Sequence, residues 1–225
     1  MNKRNKKLYF EWDTISWSRA LLIWHKYLKL NEGNYALEIG ARRGSLSLML
    51  AKEYRMKVIC SDLNNPQKTV ELLHQKHELN HTIQYKAIDC IQIDYKDNSF
   101  DVVLFKSVIG ALGSYEKQSL AFQEILRVLK PGGILLFAEN LECSDFHMYL
   151  RRKFVPWSSH WHYPKLNDIN LFLENYNFVE INTTGFFATF AKAKFIKNFL
   201  SYFDVVIDKI LPKKNKYIVY GSAIK

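Results

Sequence analysis

The chain has 225 residues, 48% of them hydrophobic and 24% charged, which excludes a disordered or fibrous chain and allows one domain with a large core. Its formal net charge of +10 leaves an anionic small substrate, a membrane surface and nucleic acid open as partners, although the basic runs at 2–7 and 213–216 are typical of solvated ends. The three cysteines, Cys60, Cys90 and Cys143, lack the spacing of a zinc site, which indicates reduced thiols and no metal.

The sequence does not predict export or a membrane span. The basic N terminus runs into LYFEWDTISW, whose acids interrupt the apolar residues that a secretory signal needs. The apolar stretch FLSYFDVVIDKIL is broken by Asp204, Asp208 and Lys209. We therefore expect a cytoplasmic protein, with peripheral contact to a membrane as an alternative.

A first helix is predicted over residues 13–29. Asp13 or Thr14 can cap it, and apolar residues recur at helical spacing after them. Trp12 and Trp17 are interpreted as core or lid residues, with contact to a bound ligand as the alternative.

The stretch ALEIGARRGS joins a predicted buried strand, Tyr35–Ile39, to a helix, Ser45–Tyr54. Glu38 closes the strand, and Gly40 and Gly44 bracket a tight turn. Glycine permits backbone conformations that bring a ligand close, and the first helical turn offers free N–H groups. Such turns typically hold nucleoside derivatives. Neither GxGxxG nor the phosphate-binding GxxxxGK[ST] is present.

Acids also end the next two predicted strands. KVICSD, 57–62, ends in Asp62, where a carboxylate can accept hydrogen bonds from both hydroxyls of a ribose. Capping the predicted helix 66–79 is an alternative role that is compatible with the first. TIQYKAID, 82–89, ends in Asp89. Acids at the ends of three successive strands predict one shared ligand edge.

Two further units complete the central part of the chain. NSFDVVLFKSVIGAL, 98–112, is predicted to be a turn and an apolar strand with Lys106 and Ser107 at its mouth. A helix over 115–129 leads into LKPGGILLFAEN, 129–140, whose K-P-G-G is predicted to make a sharp turn into a fifth buried strand.

The order and spacing of these motifs over residues 35–140 resemble the class I S-adenosylmethionine-dependent methyltransferases, of the small-molecule, type 11 kind. Their first motif, ExGxGxG, has its counterpart in the turn, except that Arg42 replaces the middle glycine. Arg42 could offer a cation to the cofactor carboxylate or point to solvent. The N-S-F-D and K-P-G-G segments resemble the family's fourth and fifth strand motifs.

The resemblance implies the fold, the cofactor and its ligands. The implied fold is α/β, a doubly wound, mostly parallel seven-stranded sheet (Rossmann-like methyltransferase fold) with helices on both faces and an antiparallel strand near the C-terminal edge. The cofactor would be S-adenosylmethionine. Its implied ligands are Glu38, Gly40, Ala41 and Gly44 for the methionine part, Asp62 for the ribose, and Asp89 with Cys90 for the adenine. Leu63, and Lys106 at the mouth of the fourth strand, are also implied to bind the cofactor.

The C-terminal part supplies candidates for the family's remaining elements and carries two extra segments. A helix is predicted over 164–176, and strands over 178–188 and 216–225. The first insert is 143–163, and the second insert, predicted to be helical, is 189–212. We expect one methyltransferase domain over 1–225, divided into a basic tail and lid helix (1–34), a cofactor-binding core (35–140), and substrate-side inserts with the last two strands (141–225).

The first insert is basic and aromatic, as the walls of a small-molecule pocket need to be. It contains two candidate catalytic bases, His160 and His162, which we consider only as a pair. A structural or solvent-facing role is the alternative for each histidine.

The second insert carries an apolar helical stripe. A core or dimer face, a basic amphipathic helix on an anionic membrane, and a lid over an apolar acceptor site are the three interpretations left open. The stripe consists of Phe195, Phe199, Tyr202, Val206 and Ile210.

The predicted activity is methyl transfer to a small anionic, saccharide or lipid-linked acceptor, with oxygen as the preferred accepting atom. One alternative is a nucleic-acid methyltransferase, but F-K-S-V stands where N/D-P-P-[YF] is needed, so nucleic acid is not the expected partner. The other is a catalytically inactive protein of the same fold that serves as a partner or as a membrane-associated subunit, an interpretation that Arg42 keeps open.

Overall fold

The structure is a computed structural model, and it describes residues 3–79, 81–155, 161–191 and 193–225. His160, one of the two candidate bases, lies outside the described residues. Among the helices that are described, none combines the length and the apolar character needed to cross a membrane.

Seven strands of the described chain form one sheet, in the order β3-β2-β1-β4-β5-β7-β6. The first five run parallel, and β7 lies antiparallel between β5 and β6. This arrangement confirms the predicted mostly parallel sheet with a reversed strand near its edge. The strands are β1 (Tyr35–Ile39), β2 (Lys57–Asp62), β3 (Ile83–Ala87), β4 (Phe100–Lys106), β5 (Leu129–Asn140), β6 (Phe178–Thr184) and β7 (Ile218–Ile224).

Helices cover both faces of the sheet. Val102 and Leu104 of β4 face a core shared with α1 to α5, while Val103 and Phe105, one residue further along in each case, face a second core with α6 and α8. The buried, apolar strands follow from this double cover. The helices are α1 (Lys3–Phe10), α2 (Thr14–Trp17), α3 (Leu21–Leu30), α4 (Ser45–Tyr54), α5 (Gln67–Gln75), α6 (Tyr115–Val128), α7 (Asp145–Phe154), α8 (Leu166–Phe172) and α9 (Lys194–Ile207).

The predicted helix over 13–29 is interrupted. Asp13 caps α2, its carboxylate accepting from the Ser16 N–H at 3.3 Å, and a 3₁₀ turn over Ser18–Ala20 separates α2 from α3. The basic residues before it form α1, which the apolar pattern did not predict. Tyr9 in α1 donates its hydroxyl to Glu53 of α4 at 2.6 Å, so tertiary contacts hold this segment.

Several elements are shorter than predicted. The sixth strand ends at Thr184 because Gly185 has a φ of +84° and packs against Tyr217, which turns the chain away from the sheet. At K-P-G-G the β4–β5 pairing jumps from Phe100↔Leu129 to Val102↔Ile134, so the expected turn is an irregularity within β5.

The second insert contains α9, as predicted, but its apolar stripe does not enter the core. Phe195, Phe199 and Val206 are exposed, whereas Ser201 and Asp204 are buried. The core interpretation of the stripe is therefore wrong for this chain. Asp204 accepts from the Ala188 N–H and Ser201 donates to Asp13, and these bonds fix the opposite face of α9 against the protein.

Candidate functional site

The acids that end the first three strands lie at one edge of the sheet. Glu38 pairs with Cys60 in the β1–β2 register, and Asp62 pairs with Ala87 in the β2–β3 register. Asp89 lies two residues beyond the end of β3. The N–H of the preceding residue, Ile88, donates to the Asp62 carbonyl at 2.9 Å, which places Asp89 near the end of β2. The three carboxylates therefore come from adjacent parallel strands and from the same end of each.

A cavity of about 660 Å³ opens at this edge. Five of the predicted cofactor ligands line it, namely Glu38, Gly40, Ala41, Asp62 and Lys106. The remaining four are outside its lining. Leu63 and Asp89 are exposed, Cys90 is buried in the core, and Gly44 packs against α5.

The backbone of the turn explains both of its glycines. Gly40 and Gly44 each have a φ of +69°, which side chains rarely tolerate. A Cβ on Gly40 would lie 2.4 Å from Val108, and a Cβ on Gly44 would lie 2.8 Å from the His74 ring. The Gly44 N–H donates to the Ala41 carbonyl at 2.7 Å and closes the turn.

Arg42 occupies the position of the family's middle glycine in the same left-handed region, with a φ of +50°. This conformation explains why glycine suits the position. The Arg42 N–H donates to the Asp62 carboxylate at 2.9 Å, and its guanidinium lies 4.7 Å from the centre of the Trp12 ring. The arginine therefore lines the cavity rather than pointing only to solvent.

Asp62 is positioned by two backbone donors. One oxygen accepts from Arg42 and the other from the Leu63 N–H at 2.8 Å. An ionised carboxylate has about four acceptor sites, so both oxygens can take a further hydrogen bond. The side chain lines the cavity and is suited to bind a diol.

Glu38 is a positioning residue for α4. It is buried, and one of its oxygens accepts from the Ser47 N–H at 2.7 Å and from the Ser47 hydroxyl. Burial raises the pKa of this carboxyl to about 8, against the lowering effect of the serine hydrogen bonds. Glu38 thereby fixes the first turn of α4 beside the glycine turn.

Lys106, the last residue of β4, is a buried cation at the cavity. Its ammonium lies 3.2 Å from the centre of the Trp12 ring and 5.2 Å from that of Trp17. Within the described part of the chain the ammonium has no hydrogen-bond partner. Burial lowers the pKa of Lys106 to about 7, although Glu11 and Glu38 act in the opposite direction.

Glu139, near the end of β5, orders the loop after Lys106. One oxygen accepts from the N–H groups of Val108 and Ile109, both at 2.7 Å, and the other from the Asn140 N–H at 2.8 Å. Glu139 was not predicted from the sequence. The signal was available, because an acid close to the end of a buried strand is the pattern used for β1, β2 and β3.

The N-terminal segment closes one side of the cavity. Glu11 accepts from the Ser45 hydroxyl at 2.9 Å, and Asp13 accepts from the Tyr217 hydroxyl at 2.6 Å. Trp12 and Trp17 line the cavity. This position is compatible with both predicted roles of the two tryptophans, a lid over the cavity and contact with a ligand.

The first insert folds over the neighbouring strand ends. Trp161 lines the cavity and packs so closely that a Cβ on Gly110 would lie 2.3 Å from its ring. His162 follows it but is exposed and outside the cavity lining. Its backbone N–H donates to the Gly110 carbonyl at 2.9 Å, and its carbonyl accepts from Gln118 at 2.6 Å. A catalytic role for His160 and His162 stays a prediction.

The chain is similar to known methyltransferases in sequence and in fold. The family model for a methyltransferase domain matches residues 37–137. Demethylmenaquinone methyltransferase of Lactobacillus johnsonii is 34% identical over 112 residues, which are 48% of this chain and 44% of that protein. Phosphoethanolamine N-methyltransferase 3 of Arabidopsis thaliana is 27% identical over 131 residues, 56% of this chain and 26% of that protein.

The fold is similar to that of Haemonchus contortus phosphoethanolamine N-methyltransferase 2 in complex with S-adenosyl-L-methionine. The TM-score is 0.68 at 20% identity, covering 99% of this chain and 56% of the other. The chain spans less than half the length of the two curated relatives. Residues 37–137 are thus similar to a methyltransferase domain, and the fold is the Rossmann-like fold of S-adenosylmethionine-dependent methyltransferases.

Proposed function

We propose that the protein transfers a methyl group from S-adenosylmethionine to a small anionic acceptor. The observation that carries this proposal is the single cavity that has Glu38, Gly40 and Asp62 on its lining together with the buried cation Lys106. The first set matches the family's cofactor motifs. Lys106 was predicted to be a cofactor ligand, and we assign it to the acceptor instead because its ammonium has no hydrogen-bond partner among the described residues.

The cofactor would lie across the glycine turn. We assign the methionine part to the backbone between Gly40 and Gly44, positioned by Glu38, and the ribose hydroxyls to the Asp62 carboxylate. The adenine would contact Asp89 and the Cys90 backbone, at the end of β3. When bound, S-adenosylmethionine supplies an activated methyl group, so the residues of the chain need only to orient the partners and exclude water.

The acceptor would enter beside the cofactor, where cations and aromatic rings line the cavity. Lys106, Arg151 and Lys197 contribute positive charge, and Trp12 and Trp161 contribute apolar walls. A desolvated ammonium without a hydrogen-bond partner favours an anionic group in the acceptor. Phosphoethanolamine, named for the Arabidopsis thaliana relative, has such a group.

Oxygen remains our preferred accepting atom, on an anionic, saccharide or lipid-linked molecule. The relative named phosphoethanolamine N-methyltransferase makes nitrogen the alternative accepting atom to compare. If His160 and His162 act as a base for a hydroxyl, changing both to Ala lowers turnover and leaves cofactor affinity unchanged. Unchanged turnover would remove them from the mechanism.

The test is a transfer assay with methyl-labelled S-adenosylmethionine. Phosphoethanolamine, a demethylmenaquinone and an uncharged sugar serve as acceptor probes, and calorimetry with S-adenosylhomocysteine reports cofactor binding separately. We expect micromolar binding and label transfer to an anionic probe. Absence of binding at millimolar ligand would refute the methyltransferase, whereas transfer only to uncharged probes would refute the anionic acceptor.

A further inference from the structure

Helix α9 has its polar side toward the protein and its apolar side toward solvent. Ser201 and Asp204 are 0% and 1% exposed, whereas Phe195 and Phe199 are 84% and 65% exposed. A helix on the surface of a globular protein normally shows the opposite arrangement. The hydrophobic effect within this chain therefore does not explain the orientation of α9.

Hydrogen bonds hold the helix in this orientation. The two oxygens of Asp204 accept from the N–H groups of Phe187 and Ala188 at 2.8 and 3.0 Å. The Ser201 hydroxyl donates to Asp13 at 2.7 Å. Rotating α9 to bury its phenylalanines would leave these buried polar groups without partners, which is costly. The apolar face is therefore fixed outward.

The outward residues form a continuous apolar surface, which we call the α9 face: Phe195, Ile196, Phe199, Tyr202, Phe203 and Val206. They recur at helical spacing, so the surface runs along the whole helix, a length of about 21 Å. Monomeric proteins rarely expose so large an apolar patch unless it binds something.

Basic residues flank the α9 face. A shallow groove is lined on one side by Lys3, Lys6 and Lys7 of α1 and on the other by Tyr202 and Val205 of α9. The two acids of this region, Asp204 and Asp208, face inward and are hydrogen-bonded there. The surface thus combines exposed aromatic side chains with a row of lysines.

We propose that the α9 face and the lysines of α1 dock the protein on an anionic lipid bilayer. Aromatic and aliphatic side chains enter the interface between headgroups and acyl chains, while adjacent lysines are attracted to anionic headgroups. A second copy of the chain fits this surface less well, because a two-fold contact there brings the α1 lysines of both copies together. Nucleic acid would leave the aliphatic residues unused.

Docking would place the cavity close to the membrane. Lys197 of α9 lines the cavity, so the helix that carries the outward apolar face also borders the cavity. The cavity would then lie within about 10 Å, the diameter of one helix, of the lipid surface. This inference concerns where the protein binds and does not depend on the proposed chemistry.

The test is flotation of the full chain with vesicles of phosphatidylcholine alone or with about one-third phosphatidylglycerol. We expect binding to the anionic vesicles that is at least tenfold tighter than to the neutral ones and weakens with salt. The double variants Phe195→Ser/Phe199→Ser and Lys3→Glu/Lys7→Glu should each lose about tenfold in affinity.

Matched controls change the same residue types elsewhere. Leu72→Ser/Leu120→Ser alters exposed apolar residues of α5 and α6, and Lys68→Glu/Lys117→Glu makes the same charge change on those helices. Light scattering and thermal unfolding verify the oligomeric state and the fold of each variant. Equal vesicle binding by the α9 variant and wild type would overturn the proposal, as would a wild-type dimer that the α9 substitutions dissociate without any vesicle binding.

Discussion

Asp62 is the residue that we propose contacts the ribose of the cofactor. Changing Asp62→Asn removes the charge that a ribose diol would contact, and a hydrogen bond to a charged group contributes about 1.5–3 kcal/mol. We expect the Kd for S-adenosylhomocysteine to rise about 10- to 100-fold in calorimetry.

Asp94→Asn is the control, since Asp94 is exposed and outside the cavity lining. It should bind like the wild type. Equal affinities of the Asp62 and Asp94 variants would show that Asp62 does not contact the cofactor.

Lys106 should make the activity toward an anionic acceptor depend on pH. Burial lowers the pKa of Lys106 to about 7. The side chain is therefore charged below that pH and loses its charge as the pH rises through it. An anionic acceptor is attracted only by the charged form. We therefore expect kcat/KM for such an acceptor to fall as pH rises through this range, and Lys106→Met to raise KM while leaving cofactor affinity unchanged.

Lys106→Arg is the matched variant, because a guanidinium stays charged throughout this range. In the Lys106→Arg variant, kcat/KM should no longer fall through titration of residue 106. Any fall in kcat/KM that comes from titration of the acceptor itself should remain. Identical pH profiles for wild type and Lys106→Arg would exclude Lys106 as the acceptor's cation.

Individual residues differ in how far the sequence could predict them. The positions of Glu38 and Asp62 followed from strand ends, which the apolar pattern marks. The contact between Lys106 and Trp12 joins residues far apart in the chain, and no local pattern encodes such packing. His162 was selected by its residue type and its place in the basic, aromatic insert. Its side chain is exposed, and it is its backbone N–H that donates to Gly110.

At the scale of elements, the packing of α5 on the glycine turn can be tested. Gly44→Ala places a Cβ in a left-handed conformation and 2.8 Å from the ring of His74. The ring is fixed by the Tyr85 hydroxyl at 2.9 Å and the Gly44 carbonyl at 2.8 Å. Strain and overlap together should lower the free energy of unfolding by about 2 to 4 kcal/mol.

Gly113→Ala separates these two effects. Gly113 has a φ of +79° but no atom within 4 Å of its would-be Cβ. Its substitution should cost only the conformational strain, about 1 kcal/mol, in the same denaturant titration. If both variants lost the same free energy of unfolding, α5 would have to shift to accommodate the new Cβ, and close packing at Gly44 would not contribute to stability.

The elements themselves were largely predictable. The strands and helices of the central βα units match within a few residues, because alternation of apolar strands, glycine turns and amphipathic helices is local information. The orientation of α9 was not predictable from its stripe, because contacts to Asp13 and to the backbone after β6 decide it. The apolar pattern alone would assign this face of α9 to the core, which is where the prediction was wrong.

Considering the whole molecule, two groups of cations lie beside aromatic side chains. One group of cations lines the cavity and another forms the outer side of α1. The composition left an anionic substrate, a membrane and nucleic acid open, and only the folded arrangement associates each group of cations with a neighbouring aromatic surface. The two groups predict separable defects, in acceptor binding and in vesicle binding.

The proposed function requires that the cavity at the ends of β1, β2 and β4 hold the adenosyl cofactor. A crystal structure of the complex with S-adenosylhomocysteine tests it most directly. We expect the ligand to lie across the turn between Gly40 and Gly44, with its ribose hydroxyls within about 3 Å of the Asp62 carboxylate. A ligand bound elsewhere, or one in the cavity that makes no contact with Asp62, would contradict it.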